Sequence, residues 1–339
     1  MKIVNAMFGC GLGGIEQALV DYSEALLLCG HEPVAIIHPK ADVLRVLRAR
    51  NIPFYTLPNA GVWDPIAILR LRGILSKINP DICIAHGNRA VGLLTRAAPR
   101  RRIVSVMHNY KIRSDHVDNV FYPTQDLLRH VQANGAKDKH LYLVPNMVRV
   151  PAEMPLRHWR NPPVIGAMGR FVAKKGFALF IEALALLKSR NIIFSAVLAG
   201  DGEEARALRE LAAKKGLEGD LRFCGWAQDT KAFFDGVDIF CLPSYHEPFG
   251  IVLLEAMAQG LAVVATKSEG PSEILNTTNG VLVEKDNPAL LADALAELLS
   301  DRLHAEQLAQ GAYQSVKSQY DLAVVALKLD LALREISRL

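Results

Sequence analysis

Two carboxylates lie eight positions apart in the segment PSYHEPFGIVLLEAMAQGLAVVAT, residues 243–266. The apolar pattern predicts a helix that begins near Ile251, so Glu247 precedes the helix and Glu255 lies about one and a half turns inside it. Such a pair can divide two tasks, because one carboxylate can reach a group beyond a bound phosphate while the other reaches a ribose hydroxyl. The competing interpretation is a pair of surface carboxylates, since helix N-termini favour acidic side chains.

The residues between the two carboxylates favour a binding site. Gly250 lets a ligand approach the backbone closely, and the free N–H groups of Ile251 and Val252 can hold phosphate oxygens. With Phe249 they complete the pattern E-P-F-G-(apolar)3-L-E-A-M-A-x-G. This whole pattern, rather than the carboxylates alone, predicts a site for a phosphate-bearing ligand.

A second candidate binding turn lies in FGCGLGGIEQALV, residues 8–20, where Gly9, Gly11 and Gly14 spell G-x-G-x-x-G. This dinucleotide fingerprint is informative only between a strand and a helix, with an acidic residue about 20 positions further on. A strand and a helix are predicted on either side of it. The next predicted strand, however, ends in His38-Pro-Lys where the ribose-binding Asp or Glu should stand. The pattern therefore disfavours NAD.

Alternating strand and helix patterns run through the chain and are interrupted once, by a proline-dense stretch at residues 145–163. The predicted strands are residues 2–8, 33–38, 53–56, 81–85, 102–107, 118–122, 140–144, 164–168, 193–199, 221–224, 237–241 and 262–265. Short strands that are apolar on both faces suit parallel sheets covered by helices. We therefore expect an α/β protein of two doubly wound domains that face each other across a cleft, with ligands outside the carboxyl ends of the strands.

The composition fits such a chain. Its 339 residues suggest two domains, and 50% hydrophobic with 22% charged residues allows sizeable cores and excludes wholesale disorder. Its five cysteines lack C-x-x-C spacing, which suits packed, reduced thiols better than zinc or disulfides. No apolar run reaches the ~18 residues that span a bilayer, and the apolar N-terminus is already the first strand. We therefore expect a cytoplasmic protein.

The net charge of +4 is unevenly divided. Residues 1–150 hold 19 Lys and Arg against 11 Asp and Glu, whereas residues 151–339 hold 20 against 24. A basic first half suits an anionic membrane surface or an acidic acceptor. Nucleic acid is the weaker choice, because no recognition motif is present. The densest basic cluster is Arg96, Arg100, Arg101 and Arg102. A merely solvated basic face is the competing interpretation.

The segment 243–266 resembles the E-x7-E signature of retaining glycosyltransferases of family 4, which have the GT-B fold, and the resemblance covers essentially the whole chain. IGAMGRFVAKKGF, residues 165–177, resembles the strand, loop and helix in which an Arg and a Lys of that family clamp the donor diphosphate. These would be Arg170 and Lys175 here. Such cations suit the chemistry, because charge develops on the leaving diphosphate as the sugar C1–O bond breaks.

Three further segments carry the resemblance. VLAGDGEE (197–204) and LRFCGWAQD (221–229) resemble the strand ends that approach the nucleotide base. LVPNMV (143–148) resembles the V-x-P-N-G of the domain junction, with Met147 in place of the usual glycine.

The resemblance implies how the chain divides. Residues 1–155 would form an acceptor-binding domain and residues 156–320 a donor-binding domain of GT-B architecture. The amphipathic helix at 321–339 would cross back to pack on the first domain. The opening glycines would then be a sugar-transferase loop, in which Gly13 and Gly14 abut the donor phosphates.

The candidate site residues follow from the same resemblance. The donor-binding set is Gly13, Gly14, Arg170, Lys175, Glu247, Phe249, Gly250, Ile251, Val252 and Glu255, and the catalytic set is Glu247, His108, Arg170 and Lys175. The acceptor-side candidates are Glu16, His86 and His108. The family often places a histidine where His108 ends the strand IVSVM, close to the reaction centre, and His86 ends a similar strand. Histidines at strand ends are otherwise more often structural.

The resemblance also implies a mechanism. The anomeric configuration would be retained by a front-face route, in which the leaving phosphate accepts the acceptor's proton. No D-x-D pair is present in the predicted loops, so we expect neither a metal nor a cofactor, because protein cations replace Mg²⁺ at the diphosphate.

The first hypothesis is therefore a hexosyltransferase that uses a nucleotide diphosphate sugar and a cell-envelope glycan or glycolipid acceptor, with a lipopolysaccharide-type acceptor favoured. It would work in the cytoplasm at the inner face of the cell membrane, in peripheral contact with anionic lipid and without nucleic acid. A nucleotide-sugar epimerase of the same fold is the alternative, and an NAD-dependent oxidoreductase is a remote one. The base (UDP, GDP or ADP), the sugar, the linkage and the oligomeric state are left open.

Overall fold

The computed structural model describes residues 1–11, 13–111, 117–133, 139–227 and 229–339. The chain divides into two compact units. Unit 1 comprises Met1–Met147 with Asp321–Leu339, and unit 2 comprises Val148–Tyr320.

Unit 1 contains a seven-stranded parallel sheet in its described residues, with the strand order β3-β2-β1-β4-β5-β6-β7. Its strands are β1 (Lys2–Met7), β2 (Glu32–Ile37), β3 (Phe54–Thr56), β4 (Ile82–His86), β5 (Arg102–Val106), β6 (Asn119–Tyr122) and β7 (His140–Leu143). Its helices are α1 (Gly14–Leu28), α2 (Leu44–Ala49), α3 (Pro65–Ile78), α4 (Asn88–Ala97), α5 (Gln125–Ala133) and, from the end of the chain, α13 (Leu322–Arg338).

Unit 2 contains a six-stranded parallel sheet in its described residues, with the order β10-β9-β8-β11-β12-β13. Its strands are β8 (Val164–Met168), β9 (Ser195–Ala199), β10 (Leu221–Gly225), β11 (Ile239–Leu242), β12 (Ala262–Thr266) and β13 (Val281–Val283). Its helices are α6 (Phe177–Ser189), α7 (Ala205–Lys214), α8 (Thr230–Asp235), α9 (Ile251–Ala258), α10 (Glu269–Ile274), α11 (Pro288–Ser300) and α12 (Arg302–Gln319), and Ala173–Lys175 form a short 3-10 turn.

Helix starts follow from local sequence. Asp64 accepts a hydrogen bond from the N–H of Ala67 and precedes Pro65, the first residue of α3. Asn287, which precedes Pro288 at the start of α11, accepts a hydrogen bond from the N–H of Leu290. These caps satisfy N–H groups that have no partner within the helix, which is why the helices begin where they do.

The central strands of both sheets are buried on both faces, as their apolar sequences predict, whereas the edge strands β3, β7 and β10 are partly exposed. In unit 2, one side packs against α6 and α11 and the other against α9 and α12. In unit 1, α3 and α4 cover one side, while α1 and α13 pack on the other. The last helix of the chain therefore completes the core of the first unit.

The two units separate between Met147 and Val148, rather than between residues 155 and 156 as expected. Residues 148–163 of the proline-dense stretch belong to unit 2 because side chains and carbonyls of these residues are bound there. Arg160 pairs with Asp238 at 2.9 Å, and the Tyr313 hydroxyl donates to the carbonyl of Pro151 at 2.6 Å.

Each sheet reverses its strand order once, between β1 and β4 in unit 1 and between β8 and β11 in unit 2. At such a reversal the two connecting helices leave on opposite faces, so the carboxyl ends of the two strands border a crevice where ligands bind. Gly13, Gly14 and Glu16 follow β1, Arg170 and Lys175 follow β8, and Glu247 follows β11, whereas His86 ends β4 and His108 follows the neighbouring strand β5. The topology therefore places one candidate crevice in each unit.

Candidate active site

Two loops meet at the crevice of unit 2. The loop after β8 contains Arg170 and Lys175, and the loop after β11 leads to Glu247. Gly176 lies at their contact with a left-handed φ of 65°, and a Cβ there would approach the carbonyl oxygen of Pro243 to 2.0 Å. Only glycine fits, which explains the Lys-Gly sequence that ends the first loop.

Backbone hydrogen bonds lock the same contact. The N–H groups of Tyr245 and His246 both donate to the carbonyl of Lys174, at 2.9 and 3.2 Å. The side chains on either side of this join are therefore held at fixed positions relative to each other.

Lys175 and Glu247 form an ion pair at this join, between the ammonium and carboxylate Oε2. Their side chains are 19% and 11% exposed, so the pair has limited access to solvent. The structure thus brings together two residues that are 72 positions apart in the sequence. Water and salt screen the charge of such a partly buried cation less than they screen the charge of a surface lysine.

A third carboxylate, which the sequence analysis missed, supports Glu247. Glu269 accepts a hydrogen bond from the N–H of Glu247 at 3.0 Å, and the ring of His246 and the ammonium of Lys285 lie within 3.1 and 3.6 Å of its other oxygen. Burial raises the pKa of Glu269, but bonds from its own N–H, His246 and Glu247 outweigh burial and hold that pKa below its usual value. The signal that could have found it is its position three residues after the end of β12, at the same edge of the sheet.

Helix α9 presents its N-terminus beside this pair. Gly250 caps the helix with a φ of 101°, a conformation that favours glycine. In the described residues, no hydrogen bond is donated by the N–H groups of Ile251 or Val252, as expected for the first turn of a helix. These N–H groups, together with the helix dipole, can bind an anion.

The side chain of Phe249 belongs to the core of unit 2, and its part in donor binding stays a prediction. Its side chain is 4% exposed and lies in the core of unit 2, with its ring 5.9 Å from that of Tyr320. The aromatic ring therefore anchors the loop rather than lining the crevice, because an apolar side chain next to a core gains more from burial than from solvent contact.

Glu255 lies half-buried on α9. Its carboxylate has no hydrogen-bond or ion-pair partner among the residues that the structure describes. Burial raises its pKa to about 7. A half-buried carboxylate without a protein partner has capacity to accept hydrogen bonds from a ligand.

Arg170 is exposed, and no bond joins its guanidinium to Glu247 or Lys175 within the described ranges. Its backbone is nevertheless fixed, since the N–H of the next residue, Phe171, donates to the carbonyl of Asp201 at 2.8 Å. The loop backbone therefore holds Arg170 in position, and its exposed guanidinium has no hydrogen-bond or ion-pair partner among the residues that the structure describes.

The crevice of unit 1 contains the two predicted histidines in direct contact. His86 Nδ1 lies 2.8 Å from His108 Nε2, and His86 Nε2 lies 2.8 Å from Oδ1 of Asn5, a buried residue of β1. Burial lowers the pKa of His108 to about 4, and burial followed by the neighbouring His108 lowers the pKa of His86 well below its usual range. Asn5 was missed because a polar residue inside an apolar strand gives no motif.

The glycines of residues 9–14 have local roles that differ from those in a dinucleotide-binding turn. Gly13 is extended, with a φ of −167°, which any residue can adopt. A Cβ at Gly9, by contrast, would lie 2.5 Å from Oε1 of Glu16. Gly9 therefore makes room for the half-buried Glu16 carboxylate against the loop, while Gly14 begins α1.

In the described part of the chain, no group of three or more His, Cys, Asp or Glu side chains could hold a metal ion. No helix there is both long and apolar enough to cross a bilayer. The expectation that the reaction needs no metal stays a prediction.

Comparison with known families identifies the class of protein to which these two doubly wound units belong. Residues 155–315 match glycosyl transferases group 1, and residues 12–150 match glycosyltransferase family 4. The chain belongs to the glycosyltransferases that combine a family 4 N-terminal domain with a group 1 C-terminal domain. It is thus a glycosyltransferase of GT-B fold.

Similar proteins extend over nearly the whole chain. It is 32% identical to the lipopolysaccharide core biosynthesis glycosyltransferase LpsE of Rhizobium meliloti, over 94% of this chain and 95% of the relative. It is 28% identical to LpsD of the same organism, over 100% of both. The crystal structure of Anabaena HepE in complex with UDP and glucose superposes with a TM-score of 0.87 at 19% identity, over 98% of this chain and 99% of that chain. This last likeness concerns the fold.

Proposed function

We propose that the protein is a retaining hexosyltransferase that moves a hexose from a nucleotide diphosphate sugar to a cell-envelope glycan or glycolipid. The observation that carries the proposal is the Lys175–Glu247 pair beside the open N–H groups of α9, at the strand-order reversal of unit 2. Cations and N–H groups at such a point suit a diphosphate.

Each donor-side residue has a distinct task in this proposal. The N–H groups of Ile251 and Val252 bind diphosphate oxygens, while Arg170 and Lys175 neutralise the charge that develops on them. Glu255 accepts hydrogen bonds from ribose hydroxyls, which suits a carboxylate without a protein partner. Glu247 holds the Lys175 ammonium in place, and its carboxylate places a negative charge near the sugar.

The bond changes balance without an external base. The C1–O bond to the diphosphate breaks as the C1–O bond to the acceptor forms on the same face of the sugar. The acceptor hydroxyl gives its proton to the departing phosphate oxygen. Because Arg170, Lys175 and the N–H groups stabilise the leaving charge, the proposed reaction needs no metal ion.

A lipopolysaccharide-type acceptor is the proposed substrate class. Two relatives that extend over nearly the whole chain are named as lipopolysaccharide core biosynthesis glycosyltransferases. Acceptor domains diverge between enzymes of one fold, so this support lies in the names of those relatives rather than in the site geometry. Nucleotide sugars place the reaction in the cytoplasm, at the inner face of the membrane that holds the lipid-linked acceptor.

The outer face of α3, together with Trp63 two residues before the helix, supports a peripheral contact with anionic lipid. Trp63, Ile66 and Leu69 follow at intervals of three residues and are 76, 61 and 64% exposed. The guanidinium of Arg96 lies 3.7 Å from the Trp63 ring centroid, and Arg70 on the same helix is exposed. Apolar side chains within a basic surround match the interface of an anionic bilayer. This set of residues is called the α3 face below.

A donor screen tests the proposed function. The purified protein is incubated with UDP-, GDP- and ADP-hexoses, with and without a lipopolysaccharide core acceptor, and products are identified by mass spectrometry and NMR. We expect acceptor-dependent release of one nucleoside diphosphate. We also expect the transferred sugar to have the same anomeric configuration in the product as in the donor. A 2-epimer formed without acceptor would instead indicate the epimerase, hydride transfer to NAD the oxidoreductase, and an inverted linkage would contradict retention.

A further inference from the structure

A chain of buried polar contacts runs from α1 through β1 to His108. Nδ2 of Asn5 donates to the carbonyl of Leu19 at 2.9 Å and to the hydroxyl of Ser23 at 3.0 Å. The hydroxyl of Ser23 donates in turn to the Leu19 carbonyl at 2.8 Å. Asn5, Ser23 and His86 are 0, 0 and 2% exposed, so their contacts are not exchanged with water.

The Leu19 carbonyl decides which way the Asn5 amide faces. A carbonyl oxygen only accepts hydrogen bonds, so the amide group nearest to it must be the NH2. The reversed amide would set two acceptors against each other inside the protein, which costs the full desolvation of both. Oδ1 of Asn5, which also only accepts, therefore faces Nε2 of His86.

This orientation fixes one proton on each histidine. A neutral imidazole carries its hydrogen on one nitrogen and accepts on the other. His86 must hold its hydrogen on Nε2 to donate to Asn5, so its Nδ1 is an acceptor. His108 must then donate from Nε2 to that nitrogen.

The ring geometry agrees with such a bond. The planes of His86 and His108 are inclined by 21° and their centroids lie 5.1 Å apart, a separation that fits edges joined by an N–H···N bond of 2.8 Å. Burial, which disfavours the charged form of both rings, keeps the pair neutral at pH 7.

We propose that Asn5 is a positioning residue that sets, through His86, the tautomer of His108, so that Nδ1 of His108 presents a hydrogen-bond acceptor to a hydroxyl group of the sugar substrate. Nδ1 has no partner among the residues that the structure describes. His108 in this tautomer selects for hydroxyl donors and rejects phosphate or carbonyl oxygens, which only accept. The assignment of a sugar as the ligand rests on the proposed function, whereas the tautomer does not.

The tautomer is measured directly by NMR. The full chain is produced with 15N-labelled histidine, and two-bond 1H–15N spectra are recorded at pH 7, where Nδ1–H and Nε2–H rings give different patterns. A His108→Gln variant identifies the signals of His108. We expect both His86 and His108 as Nε2–H tautomers. An Nδ1–H tautomer or a charged ring at His108 in the wild-type protein would overturn the proposal without any variant.

A pair of substitutions then tests the link to Asn5. Asn5→Leu has a similar volume but cannot accept a hydrogen bond, so we expect mixed tautomers at both histidines and a fall in kcat/KM of about tenfold, the size of one lost hydrogen bond. Ser23→Ala is the matched control, because it removes a buried hydroxyl from the same cluster but leaves the Leu19 carbonyl to orient Asn5. It should keep both tautomers and nearly full kcat/KM.

The tautomer spectra and the kcat/KM values together distinguish a failure of the Asn5 proposal from a failure of the proposed function. Unchanged tautomers in Asn5→Leu would overturn the positioning role, and altered tautomers with wild-type kcat/KM at matched thermal stability would overturn its role in substrate binding. Should Asn5→Leu not fold, the wild-type spectrum still decides the tautomer. A protein that transfers no sugar from any donor, yet shows both Nε2–H rings, would contradict the proposed function alone.

Discussion

The ammonium of Lys175 is paired with the carboxylate of Glu247 across two loops that follow different strands of unit 2. The pair is held by backbone rather than by the two side chains, because Gly176 contacts Pro243 and the Lys174 carbonyl accepts from the opposite loop. Either side chain can therefore be altered while the loops stay joined. This makes the pair suitable for substitution experiments.

The first prediction concerns this pair. We expect Lys175→Ala and Glu247→Ala each to reduce kcat/KM by at least ~100-fold, since removal of one preorganised charge-stabilising group has about that effect. Lys174→Ala is the control, because it removes an exposed neighbouring cation. Initial rates with the donor from the screen provide the measurement, at matched melting temperature. Near-wild-type turnover in either variant, or an equal loss in the control, would refute the site.

The second prediction concerns Glu255, whose pKa burial raises to about 7. Ribose hydroxyls that donate to the carboxylate stabilise its charged form, so nucleotide binding lowers that pKa and releases protons at pH 7. Affinity should therefore increase with pH near 7. Calorimetry in buffers of different ionisation enthalpy measures the release, and Glu255→Gln should abolish it. Proton uptake, or the same release in the variant, would contradict the ribose contact.

The third prediction concerns α13 and the core of unit 1. Leu329 and Leu333 are 1 and 0% exposed, whereas Leu327 on the same helix is 64% exposed. Leu329→Ala and Leu333→Ala should each lower the free energy of unfolding by about 2–5 kcal/mol, since each leaves a cavity. Leu327→Ala should change it by less than about 0.5 kcal/mol. Thermal and urea unfolding provide the values, and removal of residues 321–339 should impair folding or activity.

The fourth prediction concerns the α3 face. Binding of the full chain to vesicles with anionic lipid should weaken between low and physiological salt, because salt screens the attraction. Joint replacement of Trp63, Ile66 and Leu69 by Ser should reduce binding at both salt concentrations. The control replaces Leu327 and Leu331, which are 64 and 68% exposed on α13, and should bind as the wild type does. Equal losses of binding in both variants, or binding that does not depend on salt, would contradict the lipid contact and favour a basic face that is only solvated.

The fifth prediction concerns pH. Burial lowers the pKa of His108 to about 4 and the pKa of His86 well below its usual value, while unfolded histidines titrate near 6.5. Between these values the unfolded state binds more protons, so the contribution of both rings to the free energy of unfolding falls as pH drops from about 6.5 towards 4. Glu255 acts in the opposite direction over an overlapping range, since its folded pKa is raised.

A comparison of the wild type with a variant that lacks both histidines therefore tests this pH effect better than the pH dependence of wild-type stability alone. A His86→Gln, His108→Gln double variant should lose less stability than the wild type between pH 6.5 and 4.5, as measured by urea unfolding at each pH. Parallel curves for the two proteins would show that the rings titrate alike in the folded and unfolded states.

Periodicity and motif determined much of this protein. The strands predicted from apolar runs correspond to β1 to β12, because a strand buried on both faces must be apolar along its whole length. The E-x7-E pattern placed Glu247 before α9 and Glu255 within it, as observed, since helix starts depend on adjacent residues. β13 (Val281–Val283) was not predicted.

Tertiary contacts decided the rest. That Lys175 meets Glu247, and that Asn5 meets His86, depends on the strand order and on glycines that permit close backbone approach, neither of which leaves a periodic signal. Phe249 became a core residue, and Glu269 a partner of the site, for the same reason. A sequence fixes which local elements can form, but only the packing of distant strands determines which side chains share a crevice and which proton each histidine must hold.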